Sequence, residues 1–164
     1  MGDSLNLTTF NNPLEAGLRV LALLIEAHPS PMEMQKLVFL DFLAVHSADV
    51  GGPESLHPPT PHRSTELVLR RDLLENGALL LMSRGLIGRF YDATGFLYLA
   101  TEDAGPFMSV LESPYTLELR SRARWVVSEF GDQTTDELML FFSENLDRWG
   151  GEFALASRVE DEAT

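Results

Sequence analysis

The chain has 164 residues, 45% of them apolar, and a formal net charge of −13. That length suits one domain, or one domain with a small appendage, and the apolar share is enough for a buried core. It contains no cysteine, which excludes a disulfide framework, a thiolate nucleophile and a cysteine-based zinc site.

No run reaches the roughly 18 consecutive apolar residues of a membrane span. Residues 1–12 lack the basic start and apolar block of a secretory signal. A cytoplasmic protein without membrane contact is expected. Eleven of the twelve basic residues are arginine, and Lys36 is the single lysine. A chain this acidic binds DNA poorly on its own, because phosphate affinity rests on a basic face. Arginine suits bidentate pairing with carboxylates, and so structural or interfacial salt bridges.

Residues 1–11 read as an extended or loose N-terminal segment. Asn12-Pro13-Leu14-Glu15 is a helix start: a capping side chain, proline at the first helical position, and glutamate closing a capping box. Helix one runs to about Ala27, with Leu14, Leu18, Leu21 and Ile25 as one stripe. Ser30-Pro31-Met32-Glu33 repeats the signal and starts helix two, which runs to about Val45. Lys36 and Asp41 read as its exposed charges. Helix three begins near Pro61 to Ser64 and continues to about Arg84, with Leu67, Leu74, Ala78 and Leu81 on one face. Glu66 and Arg70 form an i,i+4 pair there. Two short aromatic runs, residues 85–91 and 96–100, flank the turn Asp92-Ala93-Thr94-Gly95 and read as a β-hairpin. Pro106 opens a short helix, Phe107 to Leu111. Ser113-Pro114 opens a longer one to about Phe130, with Gly131 as its C-cap. Thr134 to Glu137 is a capping box for a last helix carrying Leu138, Phe141, Phe142, Leu146 and Trp149.

The expected fold is therefore mostly α, an α+β domain. Residues 12–104 form a winged-helix-like core of three helices and a β-hairpin, with a long loop at 46–62. Residues 105–150 form C-terminal helices packed on it, and 151–164 are a disordered acidic tail.

The segment from His46 to Arg71 holds four of the nine prolines and three of the four histidines. Unstructured loops of this length are uncommon and usually functional or disordered. Gly51-Gly52-Pro53 signals a turn, and Pro58, Pro59 and Pro61 stiffen the backbone. An ordered loop presenting His57, Pro58, Pro59 and His62 on one surface is expected.

His46, His57 and His62, with Asp49 and Glu54, are the candidate metal ligands, but no HExxH, HxH or HxxxH spacing supports them. The alternative is that these imidazoles bond loop backbone or face a partner. There is no GxSxG elbow, and nothing singles out a carboxylate pair among 25 acids. Gly51-Gly52 lacks the lysine of a phosphate loop, and Pro53 removes a donor. No catalytic, cofactor-binding or metal residues are assigned, and no enzyme activity is expected.

Nucleic-acid binding would use helix three as a recognition helix, with Arg63, Arg70 and Arg71 early in it and Arg84 and Arg89 flanking the wing. Glu66, Asp72 and Glu75 interrupt that face, and arginines tied in salt bridges are the competing reading. Protein docking would use the exposed prolines, the arginine-rich helix start and the aromatic hairpin. Against it stands the reading that Phe90, Phe96 and Tyr98 cover the domain's own core.

Several runs resemble the bacterial ABC-three-component system middle components. They are FNNPLEAGLR (10–19), QKLVFLD (35–41), GGPESLHPP (51–59), Arg70-Arg71, MSRGLI (82–87), Ser113-Pro114-Tyr115 and the Trp125 helix. The similarity spans about residues 10–150. It implies a small accessory subunit, without catalytic motif or cofactor, that accompanies an SMC-like ABC ATPase and a separate effector, often a nuclease. Such Lamassu-like assemblies are anti-phage systems. DNA contact would then be indirect, or made as part of the complex. The partner-binding residues assigned on this reading are His57, Pro58, Pro59, Arg63, Arg70 and Arg71. The alternative is a winged-helix DNA-binding transcriptional regulator, which requires a contiguous basic face across helix three and the wing.

Overall fold

The computed structural model describes residues 12–58 and 63–145. Expectations for the N-terminal segment, for Pro59, Pro61 and His62, for Leu146 and Trp149 and for the acidic tail lie outside these residues.

Helix α1 spans Pro13–Ala27, and the Asn12 side chain accepts from the N–H groups of Leu14 (2.8 Å) and Glu15 (3.1 Å). The cap forms, but Glu15 does not complete a box. It is buried and spends its carboxylate inside the molecule.

Helix α2 spans Met34–Val45. Its start corrects the sequence reading. Ser30 is not the cap: Met32–Glu33 forms a short strand, β1, with Met32 opposite Tyr98 and Glu33 opposite Leu97. The open edge of the strand Gly95–Ala100 offers backbone pairing to this segment, and burial of the Met32 side chain adds apolar contact. The Glu33 carboxylate accepts from Thr135 rather than capping the helix. Every residue from Leu37 to Val45 is buried, as a helix apolar on all sides requires.

Helix α3 spans Arg63–Ser83, with Leu67, Leu74, Ala78 and Leu81 buried as predicted. Gly85 reverses the chain with φ +71°, a left-handed conformation that glycine adopts without strain. The hairpin follows as β2 (Ile87–Asp92) and β3 (Gly95–Ala100). The antiparallel sheet has the order β1-β3-β2. Asp92 accepts from the backbone N–H (2.8 Å) and the hydroxyl (2.6 Å) of Thr94, so the turn predicted there forms by side-chain chemistry.

Helix α4 spans Ala104–Ser109, three residues upstream of the predicted start at Phe107, so Pro106 lies inside its first turn. The first turn's N–H groups have no intrahelical acceptor, so proline is tolerated there. Helix α5 spans Pro114–Phe130 behind a Ser113 cap, and α6 spans Thr135–Asn145. Gly131 ends α5 with φ −62°, its N–H donating to Val127, so it caps without the left-handed turn. Its carbonyl accepts from Lys36 at 2.6 Å. Helix α5 packs on α1 and α2, and α6 on α2. The fold is α+β and mostly helical, as the sequence indicates.

Helices α1 and α3 cross at two glycines. A Cβ on Gly77 would lie 2.4 Å from the Gly17 nitrogen and 2.7 Å from the Pro13 carbonyl oxygen. The backbones therefore approach more closely than any side chain allows.

Candidate interaction surface and the ionic chain beneath it

The described part of the long loop is held by its own hydrogen bonds. A 3-10 turn, Ser47–Val50, leads into it. The buried Ser47 hydroxyl donates to the Pro53 carbonyl (2.8 Å), the Gly52 N–H to Ser47 (2.9 Å), and the His57 N–H to Val45 (3.0 Å). The Arg122 Nε donates to the Glu54 carbonyl at 2.7 Å, which pins the loop to α5. Trp125, also on α5, covers Gly52 so closely that a Cβ there would meet the indole ring at 2.4 Å.

At His57 the loop meets a buried polar chain. His57 is 9% exposed, and its Nε2 lies 2.8 Å from the Tyr115 hydroxyl. That hydroxyl donates to Glu15 Oε1, which also accepts from Arg19 Nη1 at 3.3 Å. Arg19 Nε donates to Asp41 Oδ1 at 2.9 Å, and Arg70 donates to Asp41 Oδ2. The Arg70 guanidinium also lies 5.6 Å from the Phe42 ring centre. One chain of groups therefore ties the loop, α5, α1, α2 and α3 together. Asp41 is fully buried. The reading of Asp41 as an exposed charge is corrected: its place in an apolar helix puts it inside, and two arginines meet it there.

The electrostatics follow from this packing. Burial raises Asp41, but the charges and hydrogen bonds of Arg19 and Arg70 outweigh it and hold the carboxyl below its ordinary value. Burial likewise raises Glu15, while His57, Tyr115 and Arg19 bring it below the usual range. Burial and the bond to Glu15 push the Tyr115 phenol up, so it stays a proton donor.

A group depressed in the native state contributes stability above its unfolded pKa and loses it as pH falls through the native value. With ordinary values of 3.8 and 4.5 for Asp41 and Glu15, stability is expected to hold above about pH 5 and to decline steeply below about pH 4. Urea midpoints measured from pH 7 to pH 2.5 check this. A flat profile across that range would contradict the ionic chain.

Of the residues predicted to form the partner surface, Pro58 is exposed and Arg71 is about half exposed, while His57 and Arg70 turn inward. The expectation that His57 shares an open surface with Pro58 is thereby corrected. Pro59 and the side chain of Arg63 lie outside the described residues. Arg71 bonds Glu75 (3.1 Å) and Gln35 (3.0 Å). It stands at the rim of an apolar groove of about 360 Å³ between α2, α3 and α6, lined by Val38, Phe39, Leu67, Met139 and Phe142. His46, Asp49, Glu54 and His57 line a separate depression of about 410 Å³ beside Pro58. No group of three or more His, Asp or Glu residues is placed to hold a metal ion among the described residues.

The outer face of α3 carries Leu69, Asp72, Asn76, Leu79 and Ser83, all exposed. None is a cation. The hairpin divides the aromatic residues: Tyr98 is buried, while Phe90, Tyr91 and Phe96 are exposed. The reading that Phe90, Phe96 and Tyr98 all cover the core therefore holds for Tyr98 alone.

The arrangement defines a class: a small α+β protein, locked internally by ion pairs and exposing mixed apolar and acidic surface. A family model, that of the ABC-three component (ABC-3C) system Middle Component 2, matches residues 9–152. The chain belongs to that family, the middle components of three-component ABC systems. No match was found among curated proteins or among solved structures. Among the described residues no helix is long and apolar enough to cross a membrane.

Proposed function

We propose that this protein is a non-catalytic accessory subunit that links or regulates an SMC-like ABC ATPase and an effector, such as a nuclease, in a cytoplasmic, Lamassu-like anti-phage defence complex. The family match over residues 9–152 supports a role within a multi-component system. The element order α1-β1-α2-α3-β2-β3, with its three-stranded sheet, supports reading residues 12–104 as a winged-helix core with β2 and β3 as the wing. A winged helix does not by itself imply DNA binding.

One observation favours a protein partner over DNA. The face of α3 that a recognition helix would lay in a groove presents Leu69, Asp72, Asn76 and Leu79. Arg70 is held by Asp41 and Arg71 by Glu75, so neither is set out as a phosphate clamp. Docking is assigned to Pro58 and Arg71 and, from the sequence alone, to Pro59 and Arg63. His57 and Arg70 shape that surface from beneath. An acidic subunit is also suited to cover a basic nucleic-acid surface of the effector until activation. Binding to the effector should then weaken steeply with salt.

Capture by the tagged chain, co-expressed with the other two components, tests the reading, with duplex DNA in a parallel titration. Retention of the ATPase without a DNA shift at physiological salt is expected. A DNA shift with no retained protein would overturn it in favour of a transcriptional regulator.

A further inference from the structure

Among the described residues, strand β2 leaves one edge of the sheet open. The order β1-β3-β2 pairs β2 with β3 alone among the described residues. Natural sheets guard such edges with proline, charged side chains (lysine above all), bulges or a covering element, because a row of unpaired N–H and C=O groups recruits another strand. Ile87–Asp92 contains neither proline nor lysine. Its register with β3 is continuous over six pairs, from Ile87↔Ala100 to Asp92↔Gly95. Its one cation, Arg89, lies over the sheet: the guanidinium is 4.2 Å from the Phe96 ring centre and 6.0 Å from that of Tyr98. From Arg89 to Asp92 every residue is exposed, and Tyr91 is 73% exposed. Tyr91 and Phe96 meet edge to face at 5.3 Å, leaving an aromatic platform beside the open edge.

We propose that β2 is a strand-addition site that takes an extended, proline-free, net cationic segment of a partner in the assembly; this rests on the subunit reading above. Backbone bonds to the edge would supply the pairing, and the Tyr91–Phe96 platform would take an apolar side chain at every second position. Charge selects the occupant. Asp92 stands at one end of the strand. At the other, Glu102 and Asp103 follow Ala100, the partner of Ile87; with Arg84 and Arg89 as the nearby cations, these three acids leave the edge net acidic by one charge. The whole chain carries −13. A second copy would bring the same charge and is repelled. A six-residue strand pair is also small against the roughly 1,200 Å² that a stable dimer buries.

The test uses the co-expressed complex with a photoreactive phenylalanine analogue at position 91, and maps the cross-link by mass spectrometry. A cross-link to a segment of another component rich in Lys and Arg is expected, with at least tenfold slower amide exchange across Arg89–Asp92 in the complex. Tyr91→Lys should weaken that component's binding about tenfold or more, while Val110→Lys, equally exposed on the surface, leaves it unchanged. A cross-link to a second copy of this chain, or an assembled complex with neither cross-link nor slowed exchange, would overturn the proposal. Failure of any complex to form is a separate outcome, which removes the subunit reading and this site with it.

Discussion

Replacing Asp41 with asparagine is expected to cost about 3–5 kcal/mol of folding stability, the usual loss when one partner of a buried ion pair is removed. Asp41 is fully buried and is the shared acceptor for Arg19 Nε and Arg70 Nη1. Arg19 is 2% and Arg70 6% exposed, so neither guanidinium can turn to water. Asparagine keeps the shape and removes the charge that compensates them both. Urea denaturation at pH 7, followed by far-ultraviolet circular dichroism, measures the loss. A drop below about 1 kcal/mol would show that the triad is not held as described. Replacing all three groups together with apolar residues of similar volume should restore much of the loss, because buried charges cost desolvation as well as contributing attraction.

The second large effect is expected at Gly77. In an open helix, glycine to alanine is favourable by up to about 1 kcal/mol. At Gly77 the new methyl would meet backbone, 2.4 Å from the Gly17 nitrogen. Backbone cannot rotate aside as a side-chain tip does, so α1 and α3 must separate. Overpacking of this kind costs about 1–3 kcal/mol or more, and the separation would also strain the bond from Arg70 on α3 to Asp41. Gly77→Ala is expected to destabilise by about 2 kcal/mol net, and Gly77→Leu to prevent folding. Gly105→Ala is the control, since a Cβ there meets nothing within 4 Å. Equal thermal midpoints for Gly77→Ala and the wild type would contradict the close crossing.

The same features mark what could be read from the sequence. Helix starts written in local chemistry were legible: Asn12 and Ser113 cap as expected, and Thr134 caps α6 by accepting from the Glu137 N–H at 3.1 Å. The hairpin was legible from Gly85, Gly95 and the aromatic runs. Strand β1 was not, because two residues carry no periodicity and their pairing depends on the edge of β3, more than 60 residues away. Asp41 had a signal that a solvent reading passes over. A lone carboxylate in LVFLDFLAV, and a lone arginine in α1, are charges in apolar helices that must find each other. Tyr115 and Glu15 carried no such mark, since only the fold brings residues 100 apart into contact. For the candidate surface, the sequence reading named Pro58 and Arg71 on the outside, but could not separate Arg70 from Arg71. Adjacent helical positions point about 100° apart, and only the position of Asp41 decides which of them is buried.

The most direct test of the subunit account is the mass of the three-component assembly, purified with and without this chain. The account predicts that ATPase and effector are recovered in one particle containing this chain, and that omitting it separates them or removes their regulation by ATP. An ATPase–effector particle of unchanged mass and activity, with this chain eluting alone, would contradict it.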